Sequence, residues 1–401
     1  MADDASRHAP ATRLLEIACD ESGYEGERLI GSTTDVFAHA SLCLDERTAA
    51  DCVQELRRRI RSPATEYKAN HLLREKHRST LEWLLGPQAP VLGHANVLLI
   101  DKAYYVLRHL AQLLEPGAGA GACADALYRD GPRILGARRW HAVLAGANDL
   151  LRSKHLTDPT TTVDNLAALA EALDDGRPSG PLARVRAALT SVRARAEARR
   201  ARLLLDPSGA LDPILTAIAH AVRHWHRDGA RVWLIHDQQN TLSAARIRHL
   251  SATLGGALAG LALVDSNSDP RVQVADMIAG IARKIASDEL KGGGDPRLAA
   301  LIRPYVAATS IWGDRSSWSR LAGSAGGAAG REAGRGSAHR RSALDGSLRE
   351  PGDEAVQEQV EHERDRNRDE HRGGLQRLPE EDVAADQLGR HPGGDDLLRR
   401  G

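Results

Sequence analysis

Leu14–Gly23 reads LLEIACDESG, and the assignment of this stretch decides the fold. Its first half is apolar apart from Glu16, too short for an ordinary helix and closed by Ser-Gly, which marks a strand in or beside a core. The strand delivers two carboxylates, Asp20 and Glu21, at its end. Neighbours on an extended backbone point to opposite faces, so one of the pair aims into a cleft while the other faces away or caps the next segment. Asp20 is assigned to the cleft. An ionised carboxylate at the end of an apolar strand needs a positive or hydrogen-bonding partner, and a divalent metal is one such partner. The competing assignment of Asp20-Glu21-Ser22-Gly23 is a solvated turn. The number of other strand ends that finish in an acid weighs against it.

Outward from this stretch, Tyr24–Asp35 is a polar turn, and VFAHASLCL, Val36–Leu44, is a second strand suited to pair antiparallel with the first. Asp45-Glu46-Arg47-Thr48 opens a helix to about Ile60, with acids first and RRRIR last, the polarity that the helix dipole favours. Pro63 stops it. TEYKANHLL, Thr65–Leu73, reads either as a short strand or as a helix start; if it is extended, Glu66 and Lys68 share a face. A helix over Lys76–Leu85 ends at Gly86-Pro87. NVLLI, Asn96–Ile100, is a strand that also ends in an acid, Asp101, before the helical KAYYVLRHLAQLL.

From Ala122 to about Leu211 the pattern is helical, an insert between strands. Its segment 182–204 sets Leu182, Val185, Leu189, Val192 and Ala196 at helical spacing, and Arg184, Arg186, Arg193, Arg195, Arg199, Arg200 and Arg202 make it the densest basic surface. A solvated face and a phosphate-binding surface both fit that pattern. A helix over Pro213–His226 leads to the strand RVWLIHD, ending at Asp237. A helix from about Thr241 to Leu254, the strand LALVD ending at Asp265, and the amphipathic helix VQVADMIAGIARKIA, with Asp276 inside it, complete the pattern. Strands alternating with helices predict an α/β fold, a sheet covered by helices.

The chain has 401 residues, of which 42% are apolar, enough for a sizeable core. Aromatic residues make up only 3%, which weakens any model built on base-stacking platforms. Lys+Arg and Asp+Glu both number 54, so no bulk charge announces a nucleic-acid or membrane partner, although a local patch can still serve one. Cys19, Cys43, Cys52 and Cys123 show no C-x-x-C spacing and fit a reducing, cytoplasmic compartment. The opening MADDASRHAP lacks the layout of a signal peptide, and no apolar run approaches a membrane span. Beyond about Trp318 the chain turns to GSAGGAAGREAGRGSAHRR and EQVEHERDRNRDEHRGG, which cannot bury enough surface to offset chain entropy. The expected organisation is a disordered 1–12, a domain over 13–318 with its helical insert at about 122–211, and a disordered low-complexity tail over 319–401.

Asp20, Asp101, Asp237 and Asp265 all follow strand-like runs, and Asp276 lies on the helix after the last of them. Functional groups of open α/β sheets gather where strands end. Three or four converging carboxylates repel one another without a cation, and Mg2+ or Mn2+, hard ions that take oxygen ligands, resolve that repulsion. Two such ions activate a water and stabilise the leaving oxygen in phosphodiester hydrolysis. Asp101, followed by Lys102, reads as a helix cap or local ion pair and stays outside the set. Asp237 and Asp265 also fit as caps. Asp276, flanked by Val274 and Met277, is hard to explain as a surface residue if that stripe packs.

The motifs DESG (Asp20–Gly23), EYK (Glu66–Lys68), NVLLIDKAYYV (Asn96–Val106), LIHDQ (Leu234–Gln238) and VDSNSDPRVQVADMIAG (Val264–Gly280) resemble the bacterial domain-of-unknown-function family numbered 3800, over roughly Leu14–Ile285. The resemblance implies a ribonuclease H-like fold, a mixed sheet flanked by helices. It further implies that Asp20 matches the first-strand metal acid and Asp276 the acid of the late Q-x-A-D helix. Glu66 and Asp237 are then the second and third acids, with Asp265 a substitute or neighbour. Glu21, Ser22, Lys68 and Gln273 are candidates for orienting the ligands or touching phosphate. The expected function is metal-dependent cleavage of RNA or DNA, inferred from fold relatives.

Three other readings compete. Glu66-Tyr67-Lys68 with an upstream acid resembles the E-x-K site of restriction endonucleases, with Lys68 orienting the attacking water. His220 and His224, one helical turn apart beside His226, have zinc-ligand spacing but lack the Glu of H-E-x-x-H. A non-catalytic nucleic-acid- or protein-binding module would work through the arginine-rich helix 182–204 instead of the acids; its binding would fall steeply with salt and need no Mg2+.

Overall fold

LLEIACDESG is a strand, β1 (Leu14–Ser22), and it holds Asp20 and Glu21 inside its extended backbone rather than beyond its end. The computed structural model describes residues 13–61, 69–152, 179–192, 211–227 and 229–322, with single positions between 166 and 173 and between 194 and 198. The segments 1–12 and 323–401, and with them most of the expected disorder, lie outside the described residues, as do Glu66 and Lys68. Contacts divide the chain into a unit Met1–Arg335 and a unit Gly336–Gly401, and every described residue belongs to the first.

β2 (Val36–Leu42) pairs antiparallel with β1, setting Asp20 opposite Ala40 and Ser22 opposite Ala38. β3 (Ala95–Asp101) pairs antiparallel with β2. β4 (Arg231–Asp237) runs parallel to β1, and β5 (Leu258–Val264) parallel to β4. The order is β3-β2-β1-β4-β5. Because β2 alone runs against its neighbours, the C-terminal ends of the other four strands share one edge of the sheet. That edge is where an open α/β sheet assembles its functional groups.

The described helices are α1 (Glu46–Ile60), α2 (Ala69–Leu72), α3 (Arg78–Leu85), α4 (Lys102–Leu114), α5 (Ala120–Leu151), α6 (Gly180–Leu189), α7 (Pro213–Trp225), α8 (Ala244–Leu254), α9 (Pro270–Leu290), α10 (Pro296–Ile302) and α11 (Arg315–Ala322). Strand alternation sorts the core into two layers. Ile17, Phe37, Leu98 and Leu234 pack under α4 to α8, whereas Ala38, Ala40, Val97 and Leu99 pack under α1, α3 and α9 to α11. The chain is therefore an α/β fold, a mixed five-stranded sheet with helices on both faces.

Local chemistry explains the element ends. Asp45 caps α1 by accepting from the Thr48 N–H at 2.8 Å, and Arg61, at φ 50°, ends it two residues before Pro63. Asp101 caps α4 through the Tyr104 N–H, one of the two roles its sequence position allows. The described part of TEYKANHLL is helical, as α2.

Two boundaries differ from expectation. The continuous helix expected over 182–204 breaks at Thr190-Ser191, where α6 has ended with Val185, Leu189 and Val192 already buried in the core. The tail does not begin at residue 319. Ser319–Ala322 continue α11, whose Leu321 is fully buried and whose Arg320 guanidinium donates to the buried Glu289. Cys19, Cys43, Cys52 and Cys123 are all free, and among the described residues no helix is long and apolar enough to cross a membrane.

Candidate functional site

Residues 18, 20 and 22 of β1 face α9, and residues 17, 19 and 21 face the other layer. Ala18 packs with Ile235 of β4 and Val272 of α9, and the Ser22 hydroxyl accepts from Arg283 of α9 at 2.9 Å. The start of α9 is fixed to β1 by Arg271, which forks onto its cap residue Asp269 and onto Glu16 at 2.7 Å each. This docking brings Asp276 near Asp20, while parallel pairing brings Asp237, the last residue of β4, to the same edge. Asp20 therefore faces the α9 side of the sheet and Glu21 the opposite one.

Asp20 is 6% exposed. Burial first, then Glu21, Asp276 and more weakly Asp237, push its pKa up to about 9, although the Glu21 N–H donates to its Oδ1 at 2.6 Å and pulls the other way. None of the leading influences on Asp20 is a cation. Asp237 accepts from the Ser266 N–H at 3.0 Å, so the turn after β5 orients it. Asp276 of α9 and Asp237 of β4 therefore both bear on the buried Asp20, and among the described residues no lysine or arginine forms an ion pair with it.

The remaining candidates separate. Asp265 is exposed and accepts from both nitrogens of Asn267, the geometry of a cap on the turn after β5. Gln273 donates to the Asn267 carbonyl at 3.2 Å, which ties α9 to that same turn. Ser22 orients Arg283.

On the opposite face, Glu21 accepts from the Gln239 amide and stands 3.6 Å from His236 Nε2. Burial raises its pKa to about 7, and burial lowers that of His236, so this contact is not an ion pair at neutral pH. His236 Nδ1 faces the Asp237 carbonyl at 2.9 Å, which makes Nδ1 the protonated nitrogen and leaves Nε2 to accept from His39 Nε2 at 3.3 Å. His39 Nδ1 is then a bare buried acceptor, without a hydrogen-bond partner among the described residues. Sequence reading missed Gln239, His39 and His236 because nothing in their spacing links them. Glu21 and His39 meet only through the β1–β2 register.

The histidines of α7 are not placed for zinc. His220 gives both ring nitrogens to protein partners, Nε2 to Asn96 at 2.9 Å and Nδ1 to Thr309 at 3.0 Å, and burial holds its pKa down at about 4. His224 accepts from Arg227 at 3.3 Å. In the arginine-rich segment, Arg184 pairs with Glu115 at 2.6 Å and Arg195 donates to the Leu113 carbonyl at 3.3 Å, so both serve the packing of the insert.

The donor set fits a hard divalent cation in kind: oxygen ligands only, from Asp20, Asp237 and Asp276, with the innermost one desolvated and repelled by the others. Among the described residues no three His, Cys, Asp or Glu groups stand close enough together to hold one ion. Glu66, the remaining expected ligand, is outside the described residues. Comparison with protein-family models, with curated proteins and with solved structures finds no match to this chain.

Proposed function

We propose that this chain is a metal-dependent nuclease of ribonuclease H-like fold, hydrolysing phosphodiester bonds of RNA or DNA. The observation that carries the reading is the environment of Asp20, a buried carboxylate facing two others with no cation among its leading influences. A central first strand with its acid at the functional edge of a mixed sheet supports it, as does the motif resemblance. Asp20, Asp237 and Asp276, with Glu66, are the residues that would hold Mg2+ or Mn2+; bound there, the metal supplies activation of water and stabilisation of the leaving oxygen. The chain's own share is positional. Ser266 and Gln273 fix the turn that orients Asp237 and the start of α9, and Arg271 holds α9 in register with β1.

The test is cleavage of labelled RNA, DNA and hybrid by the full chain across a Mg2+ and Mn2+ titration. Asp20→Asn and Asp276→Asn are expected to lower the rate by about a hundredfold or more, the scale of losing one essential electrostatic contact to the transition state. Cleavage undiminished in Asp20→Asn, or undiminished in chelator, would overturn the proposal. Binding without cleavage at any metal concentration would assign the chain to the non-catalytic class instead.

A further inference from the structure

Beside the carboxylates the fold builds in positive charge that the described residues do not neutralise. Arg283 lies seven residues after Asp276 on α9, hence on the same helical stripe and about 10 Å further along. It is half-buried, and its Nε donates to the Ser22 hydroxyl, two residues after Asp20 on the same face of β1. Among the described residues no carboxylate pairs with it. Burial lowers its pKa, and the one acid that opposes this, Asp288, is already held by Lys284. Desolvated guanidinium groups are ordinarily paired.

A second cation stands behind it. Lys102, the first residue of α4, is 1% exposed, and its Nζ donates to the hydroxyls of Ser32 at 2.9 Å and Thr34 at 2.8 Å. Glu25 and Asp35 favour its charge from a distance, but Glu25 is occupied by Thr33 and Asp35 by Lys291 at 2.7 Å. Arg283 is close enough to Lys102 to disfavour its charge. Two like charges held against one turn, Lys102 buried and Arg283 half-buried, call for an anion before them.

Gly23 keeps this arrangement open. It sits at φ +83°, and a Cβ there would lie 2.5 Å from the Val36 carbonyl oxygen, 2.7 Å from Arg283 Cδ and 2.9 Å from Thr34 Oγ1. Any side chain at this position would displace the arginine. The free N–H fork of a guanidinium matches a phosphate bidentately.

We propose that Arg283, set by Ser22 and backed by buried Lys102, binds a phosphate of the nucleic-acid strand next to the cleaved bond, an assignment that rests on the nuclease reading above. Lys102 does not touch the strand; it holds the Ser32–Thr34 turn and adds positive field behind the guanidinium.

The test is binding of labelled single-stranded RNA and DNA to the full chain, followed by anisotropy across a salt series with Ca2+ in place of Mg2+, alongside cleavage in Mg2+. Arg283→Gln is expected to weaken binding about ten- to hundredfold and to make the log K against log salt slope shallower by about 0.7. Arg283→Lys is expected to keep the slope and recover only part of the affinity, since a point charge replaces the fork. Unchanged affinity and slope in Arg283→Gln overturn the phosphate assignment. Weaker binding with an unchanged slope also overturns it, by reducing the residue to a structural role. If Arg283→Gln does not fold, wild-type affinity in Arg283→Lys overturns it. Asp20→Asn separates the two readings: it is expected to lower cleavage by about a hundredfold or more and keep the Arg283-dependent slope, whereas undiminished cleavage there removes the Asp20 metal site on which the nuclease reading rests and leaves the slope measurement standing.

Discussion

Asp20 keeps its proton in the metal-free native chain from its ordinary 3.8 up to about pH 9, while the unfolded chain releases it at the low end of that window. The native state therefore binds more protons than the unfolded one, and stability in chelator falls as pH rises. Urea unfolding in chelator should show a lower midpoint at about pH 8.5 than at about pH 5, and Asp20→Asn should flatten that decline and be the more stable protein at the higher pH. A bound divalent ion reverses the sign, because it favours the ionised carboxylate and releases its proton. Equal pH slopes for wild type and Asp20→Asn would show that Asp20 is solvated in the native chain. Residue identity announced this group: an acid after an apolar run is visible in LLEIACDESG, and so is the opposite-face logic that parts it from Glu21.

At the scale of elements, the site depends on how β1, its turn and α9 fit together. Gly23 is the tightest point, with a positive φ and three neighbours inside the radius of any Cβ. Gly23→Ala should cost about 1–2 kcal/mol from the left-handed backbone alone, and more from the displaced Val36 and Arg283, measured by urea unfolding. A Gly23→Ala protein as stable as wild type would mean that the turn relaxes freely. Gly280 plays the matching part on α9, where a Cβ would lie 2.5 Å from Ala69 Cβ and so hold the helix away from α2. The strands and most helices were legible because their apolar period and caps are local. The break of the 182–204 helix at Thr190 was not, since a regular apolar stripe continues across it.

At the scale of the molecule, α11 closes the layer that covers the candidate site. It buries Leu321 and brings Arg320 to Glu289 at the end of α9, so the fold extends past the compositional boundary at Trp318. A chain ending at Trp318 should be less stable than one ending at Ala322 by about 2–3 kcal/mol, the scale of one buried leucine, in urea unfolding. Equal midpoints would place those four residues outside the cooperative unit. The boundary was misplaced because a low-complexity stretch begins immediately after Ala322, and composition averaged over a window blurs a junction of only a few residues.

The sequence by itself determined the order of most strands and helices, the acids at or just after the ends of β3, β4 and β5, and the opposite faces taken by Asp20 and Glu21, because periodicity, capping and the alternation of an extended chain act over a few residues. Only the tertiary structure decided which acids bear on Asp20. Asp276 does so because α9 lies across β1 in a register set by Arg271, and Asp237 because β4 runs parallel to β1, while Asp265, the substitute ligand in the sequence, is spent on a turn. Arg283 and Lys102 come together across 181 positions of chain, and no local pattern encodes a meeting that depends on the packing of β1, β3 and α9.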